Sequence, residues 1–177
     1  LWKSYVHNED FDTLEKFRGL YEKNKNLQFT ENPNFRIPKT LHFIWLGPKP
    51  FPRESIENVR TWIAYHPDWT VKLWTDRPRP EPCNGMEVCY TKDFPFLRLH
   101  RHFEESENFA EKSDILRYEI LFREGGIYVD HDANCLRSFH GLHKGYDFYT
   151  GLELPHQKVG GHSITAGIGI IGARPYH

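Results

Sequence analysis

The chain has 177 residues, 38% hydrophobic and 27% charged, which fits one globular domain with a sizeable core and leaves little room for a second. Its 23 basic and 24 acidic residues nearly cancel, so no net field exists to gather nucleic acid or an anionic membrane surface. No apolar stretch approaches the ~20 residues of a membrane span, so no transmembrane segment is expected in this chain.

Between Asp10 and about Asn26, Phe11, Leu14, Phe17 and Tyr21 recur at helical spacing among charges and predict an amphipathic helix with a packing stripe. "TLHFIWL" (40–46) predicts a buried strand, ended by the turn residues "GPKPFP". Ile56, Val59, Trp62 and Ile63 mark a second helix, and "TVKLWT" (70–75) a second strand. Strand, helix and strand in succession predict a βαβ unit and a parallel sheet. The Pro-rich "DRPRPEPCNG" (76–85) reads as a loop whose charges do no more than solvate a surface.

"FPFLRLHRHF" predicts a short helix, and "FAEKSDILRYEILFREGG" (109–126) a long one closed by a left-handed cap at Gly125 or Gly126. "IYVD" resumes a strand at once, and "ANCLRSF" runs on from it. "YDFYTGL" and "ITAGIGIIG" predict later strands, separated by the loop "PHQKVGGH". With no repeat, low-complexity tract or visible boundary, residues 1–177 are expected to form a single domain, an N-terminal helix preceding a core from about residue 38.

Cys83, Cys89 and Cys135 are an odd number without a CxxC pair, so neither a zinc site nor a disulfide framework is indicated; a single Cys83–Cys89 bridge stays open. Residue 1 is Leu and no signal-peptide pattern follows, as expected of a processed product or a piece of a longer chain, and the compartment is undecided. "GIGIIG" (167–172) formally matches a dinucleotide-binding fingerprint, yet Arg174-Pro175 follows at once and leaves no room for the required helix. Its glycines are better read as a strand that another backbone or a ligand approaches closely. The 11 histidines show no HExxH or other regular ligand spacing; His162, beside Gly160 and Gly161, is the one expected to face a site.

The residues that carry chemistry are acidic. "GGIYVDHDANC" (125–135) ends an apolar run with Asp130 and Asp132, where ligand sites of α/β sheets collect. Two carboxylates that close repel unless a positive charge joins them, and hard oxygen donors suit Mg²⁺ or Mn²⁺. On those three letters alone a polar turn is the plainer reading. In "SDILRYE", Asp114 and Arg117 stand three apart on one helical face, offering an acceptor for sugar hydroxyls beside a cation for phosphate, or simply an intrahelical ion pair. Trp45, at the end of the first strand, can stack on a flat ring or fill a core.

Taken in order, "IPKTLHFIWLG", "PDWTVKLWTD" and "AEKSDILRYEILFREGGIYVDHD" resemble the DXD-containing glycosyltransferase family. That family groups the initiating mannosyltransferases of fungi with many bacterial enzymes and is related to the glucosyltransferase domains of large bacterial toxins. The likeness runs from about Pro38 to Ser138, with "GIGIIGARPYH" resembling a later strand and turn. It implies an α/β GT-A fold with a mixed, mainly parallel sheet flanked by helices, and further helices beyond residue 177.

The resemblance also implies transfer of a hexose, with retention, from a UDP- or GDP-sugar to a glycan, lipid or protein acceptor. Asp132 resembles the direct metal ligand, and Asp130 a donor contact that helps hold Mn²⁺ or Mg²⁺. Asp114 and Arg117 match residues that hold the donor sugar and its phosphate side. Trp45 matches the residue packed against the base, with backbone of Ile44 nearby, and Tyr128 an aromatic lining the same pocket. His131 receives no role. Two rival readings are a phosphatase using the first Asp of a DxD as nucleophile, and a non-catalytic nucleotide- or glycan-binding remnant of a transferase. The phosphatase pattern usually carries Thr or Val where Asn134 stands.

Overall fold

The computed structural model describes residues 6–24, 34–153 and 164–177. By internal contacts the chain forms two compact units, one from residues 1–32 with 150–168 and the other from 33–149 with 169–177.

The second unit carries the core. Strand β1 (Thr40–Ile44), helix α2 (Arg53–Tyr65) and strand β2 (Thr70–Thr75) form the expected βαβ unit, with β1 and β2 parallel from Thr40↔Thr70 to Ile44↔Trp74. Strand β3 (Met86–Tyr90) adds in parallel to β2, and strand β4 (Gly126–Val129) lies parallel to β1 on its other side. Strand β6 (Ala166–Ala173) runs antiparallel to β4, so the six-stranded sheet, ordered β3-β2-β1-β4-β6-β5, is mixed and mainly parallel. Strand β5 is Phe148–Leu152.

The alternation of side chains decides what each face buries. Leu41 and Phe43 of β1, Val71 and Leu73 of β2, and Ile127 and Val129 of β4 pack with Val59 and Trp62 of α2. Ile44, Trp74 and Tyr128 point to the opposite face, where helices α3 (His100–Glu105) and α4 (Phe109–Glu124) supply Phe103, Leu116, Ile120 and Leu121. Covered on both faces, β1 and β4 read as near-continuous apolar runs, which is why the sequence reveals them.

Helix α4 begins at Asn108, whose side chain accepts from the Ala110 N–H, and ends as expected: Gly125 caps it at φ 68° and Gly126 follows at φ 97°. A Cβ at Gly126 would meet the Thr40 carbonyl at 2.6 Å, so this strand entrance requires glycine. Burial depresses His42 to about 3. Trp74 Nε1 can only donate, so His42 Nδ1 accepts at 3.1 Å and Nε2–H donates to the Gly125 carbonyl at 2.8 Å.

Several features lie outside the expectations: neither β3 nor helix α5 (His140–Gly145) was expected, and "ANCLRSF" runs on from β4 without helix or strand. Helix α1 (Phe11–Asn24) exists, but of its stripe only Leu14 is buried, while Phe17 and Tyr21 are 42% and 65% exposed. All three cysteines are free: Cys83 packs on the α2 side of the sheet and Cys89 against the α4 side, too divided to bridge. The glycines of "GIGIIG" do mark close approaches, for a Cβ at Gly172 would strike the Tyr149 ring and one at Gly169 would lie 2.7 Å from Asp130 Oδ2. All of "PHQKVGGH", including His162, lies outside the described residues. Among the described residues no helix is long and apolar enough to cross a membrane.

Candidate active site

Because β1 and β4 are parallel neighbours, their carboxyl ends emerge together: one delivers Trp45, the other Asp130 and the turn through His131 and Asp132. Helix α4 brings Asp114 and Arg117 to the same end. The result is a cleft of about 460 Å³. Ile44, Trp45, Asp114, Arg117, Tyr128 and Asp130 all line it, joined by His131 and Phe109; Asp132 lies just past the lining, exposed in the turn.

Arg117 organises the charges. Its side chain is 6% exposed; Nη2 donates to Asp114 Oδ1, and Nη1 stands 3.7 Å from Asp130 Oδ1. The guanidinium lies over the Tyr128 ring at 4.2 Å, and the Tyr128 hydroxyl donates to Asp130 Oδ1 at 2.6 Å. The pair at 114 and 117 is therefore both an intrahelical ion pair and one arm of a larger network.

Burial pushes the Asp130 carboxyl above its ordinary range, and the Asp132 charge adds to that; the Tyr128 hydroxyl and Arg117 oppose it. Burial likewise raises the Tyr128 phenol, keeping it a proton donor. Asp130 Oδ2 occupies space that only the missing side chain of Gly169 leaves open, and the Asp130 N–H donates to the Gly169 carbonyl at 2.8 Å. Asp132 makes no hydrogen bond or ion pair among the described residues.

Among the described residues no three His, Cys, Asp or Glu side chains gather into a closed metal cage. Asp130 and Asp132 instead form a two-carboxylate set open to solvent. That set fits Mg²⁺ or Mn²⁺, which typically keep waters and complete their octahedron with substrate phosphates.

Trp45 is half-buried in the cleft wall. Its Nε1 donates to the Lys49 carbonyl at 2.9 Å, and its ring meets Phe51 at 5.7 Å and His131 at 4.9 Å, both edge-on. His131, given no role from the sequence, thus has a structural one: Nδ1 pairs with Ser55 Oγ at 2.7 Å, while Asn58 Nδ2 donates to its carbonyl at 3.3 Å. The acidic turn is bolted to the first turns of α2.

A second surprise is Arg79. The Pro-rich loop is not merely solvated charge, because this side chain is only 8% exposed. Its Nε donates to Thr75 Oγ1 at 2.7 Å, Nη1 to the Lys49 carbonyl at 3.0 Å and Nη2 to the Gly47 carbonyl at 2.7 Å. No local pattern announces either residue: Ser55 and Asn58, which hold His131, and the carbonyls of Gly47 and Lys49, which hold Arg79, lie far along the chain.

A family model described as "Glycosyltransferase sugar-binding region containing DXD motif" matches residues 52–149, more than half of the chain. The chain belongs to the DXD-containing glycosyltransferase family. It is 30% identical over 118 residues to inositol phosphoceramide mannosyltransferase 3 of Schizosaccharomyces pombe, covering 66% of this chain and 30% of that one. It is 32% identical over 118 residues to subversion of eukaryotic traffic protein A of Legionella pneumophila, covering 59% of this chain and 18% of that one. The chain thus spans less than a third of the length of these relatives. The solved PaToxG glycosyltransferase matches 96% of this chain and 67% of its own at a TM-score of 0.55; at 17% identity that likeness concerns the fold, which is the expected GT-A type. Within the DXD-containing glycosyltransferase family, the triplet is here Asp130-His131-Asp132.

Proposed function

We propose that this chain is the catalytic portion of a retaining, metal-dependent glycosyltransferase that takes a hexose from a UDP- or GDP-sugar. One observation carries the reading: six of the seven residues assigned from the resemblance line a single cleft, and the seventh, Asp132, is exposed two residues beyond Asp130 with no hydrogen bond or ion pair among the described residues.

Each assigned side chain has a task its surroundings suit. Trp45 offers the base an aromatic wall. Asp114, held by Arg117, faces the cleft with a carboxylate that can accept from sugar hydroxyls. Arg117 is held over Tyr128 by Asp114 and Asp130, so its cation is oriented before a diphosphate arrives. Asp130 and Asp132 would hold Mn²⁺ or Mg²⁺, whose Lewis acidity stabilises the leaving nucleoside diphosphate. Retention rests on family membership; in such a reaction the departing diphosphate takes the acceptor proton, so no protein base is assigned. The acceptor is a glycan, lipid or protein.

The test is a panel of nucleotide sugars with Mn²⁺, scored for nucleotide release and for the anomeric configuration of the product. Release from one donor, lost when the metal is chelated, is expected. Binding of donor with no release by the full-length protein would favour the non-catalytic reading.

A further inference from the structure

The Trp45 wall is not self-supporting. From Trp45 to Lys49 the chain runs through Gly47, at φ 87°, and the exposed Pro48, with no strand partner beyond the bond from the Trp45 N–H to the Trp74 carbonyl. Two side chains from a segment about thirty residues on hold it. Asp76 Oδ1 accepts from the Gly47 N–H at 3.1 Å, and Arg79 donates to the carbonyls of Gly47 and Lys49. The Lys49 carbonyl is the same atom that accepts from Trp45 Nε1, so the guanidinium and the indole share one anchor. Thr75 Oγ1 takes the third donation, at the end of β2. Arg79 does not line the cleft; it reaches the cleft only through this turn.

We propose that Arg79, supported by Asp76, is a positioning residue for the nucleobase: it sets the height and tilt of the Trp45 ring and so the affinity for the base. The inference rests on the transferase reading of the cleft and deepens it. Three acceptors in different directions need a planar fork, which a lysine ammonium at the end of a flexible stem cannot reproduce. A loosened turn lets the indole leave the stacking geometry, an interaction typically worth a tenfold or greater change in affinity. The chemical step, carried out at Asp130 and Asp132, is left alone.

The experiment compares the native protein with Arg79→Lys, Asp76→Asn and Trp45→Ala, each checked for folding by circular dichroism and thermal melting. The probes are a nucleoside and the matching nucleoside diphosphate, uridine with UDP or guanosine with GDP, followed by calorimetry without metal. Arg79→Lys is expected to weaken nucleoside and nucleoside diphosphate by the same factor, about tenfold. Asp76→Asn should weaken both less, and Arg79→Lys should raise the donor KM with kcat within about twofold. A folded Arg79→Lys that binds both probes as the native protein does overturns the proposal. So does a loss confined to the diphosphate, which would mean that Arg79 touches phosphate. If the native protein binds neither probe, or Trp45→Ala binds both unchanged, the reading of the cleft itself fails.

Discussion

Two kinds of polar cluster are built into this sheet, and their difference separates scaffold from site. Glu119 and the histidines at 42, 66 and 143 are closed. Glu119, 3% exposed on α4, accepts from the N–H groups of Leu97, Arg98 and Leu99 at 2.6–2.9 Å and fixes the approach to α3. His66 takes the Phe139 N–H on Nε2 and donates from Nδ1 to the Trp62 carbonyl. His143 donates from Nδ1 to the Pro38 carbonyl and accepts from the Tyr149 hydroxyl. The acidic corner is open: Asp114 and Asp130 share a single buried guanidinium, and Asp132 makes no hydrogen bond or ion pair among the described residues. Burial with every atom paired builds a fold; charge left in excess beside a cleft asks for a ligand.

Substitutions should dissociate the two. The largest effect is expected from Asp132→Asn, which should cut metal-supported nucleotide release by about a hundredfold or more while the melting temperature stays the same or rises, because a repulsive charge has gone. Full activity in that variant would remove Asp132 from its role. Trp45→Ala should weaken nucleotide binding by about 1–3 kcal/mol, read by calorimetry, and also lower stability through lost contacts with Phe51 and His131.

Glu119→Gln should show the reverse of Asp132→Asn. Three backbone donors then share one acceptor oxygen and meet an amide that also donates, so stability should fall by about 1–3 kcal/mol in denaturant unfolding with nucleotide affinity unchanged.

The closed histidines give a pH signature. Burial lowers His42 and His143 to about 3 and lowers His66 as well. Between about pH 6.5 and 3 the unfolded chain therefore binds protons that the folded chain does not. Unfolding free energy should fall as pH falls through that window, by up to about 1.4 kcal/mol per pH unit for each such histidine. Asp130, shifted upward, works against this trend. A flat profile from pH 6.5 to 4.5 would mean that these rings are not held neutral. The smallest effect is expected at exposed ion pairs such as Arg101–Glu105, where Glu105→Gln should change stability by less than about 0.5 kcal/mol.

What the sequence made legible was whatever repeats locally. β1 and β4 are buried on both faces and read as apolar runs; α4 carries its period, its cap and its terminal glycines within one stretch. β3 was missed because "MEVCY" mixes burial classes and follows a Pro-rich loop; only its pairing with β2 makes it a strand. α5, "HGLHKG", has two glycines and no apolar period, and it is held by His143 reaching Pro38 and Tyr149. Arg79 and His131 escaped for the same reason: a charged or polar residue in a loop reads as solvated until its distant partners are known. The site followed the same rule, since Asp114, Arg117, Asp130 and Asp132 fall within one short segment whereas the supports of Trp45 come from elsewhere in the chain.

The most direct test is calorimetric titration of Mn²⁺ into the protein with UDP or GDP present, for the native chain and for Asp132→Asn. The native chain should bind metal and nucleoside diphosphate cooperatively, and the variant should lose that coupling while still binding the nucleoside alone. Equal metal affinity in the two proteins, or no dependence of metal binding on the diphosphate, would contradict a cation shared between the acidic turn and the donor.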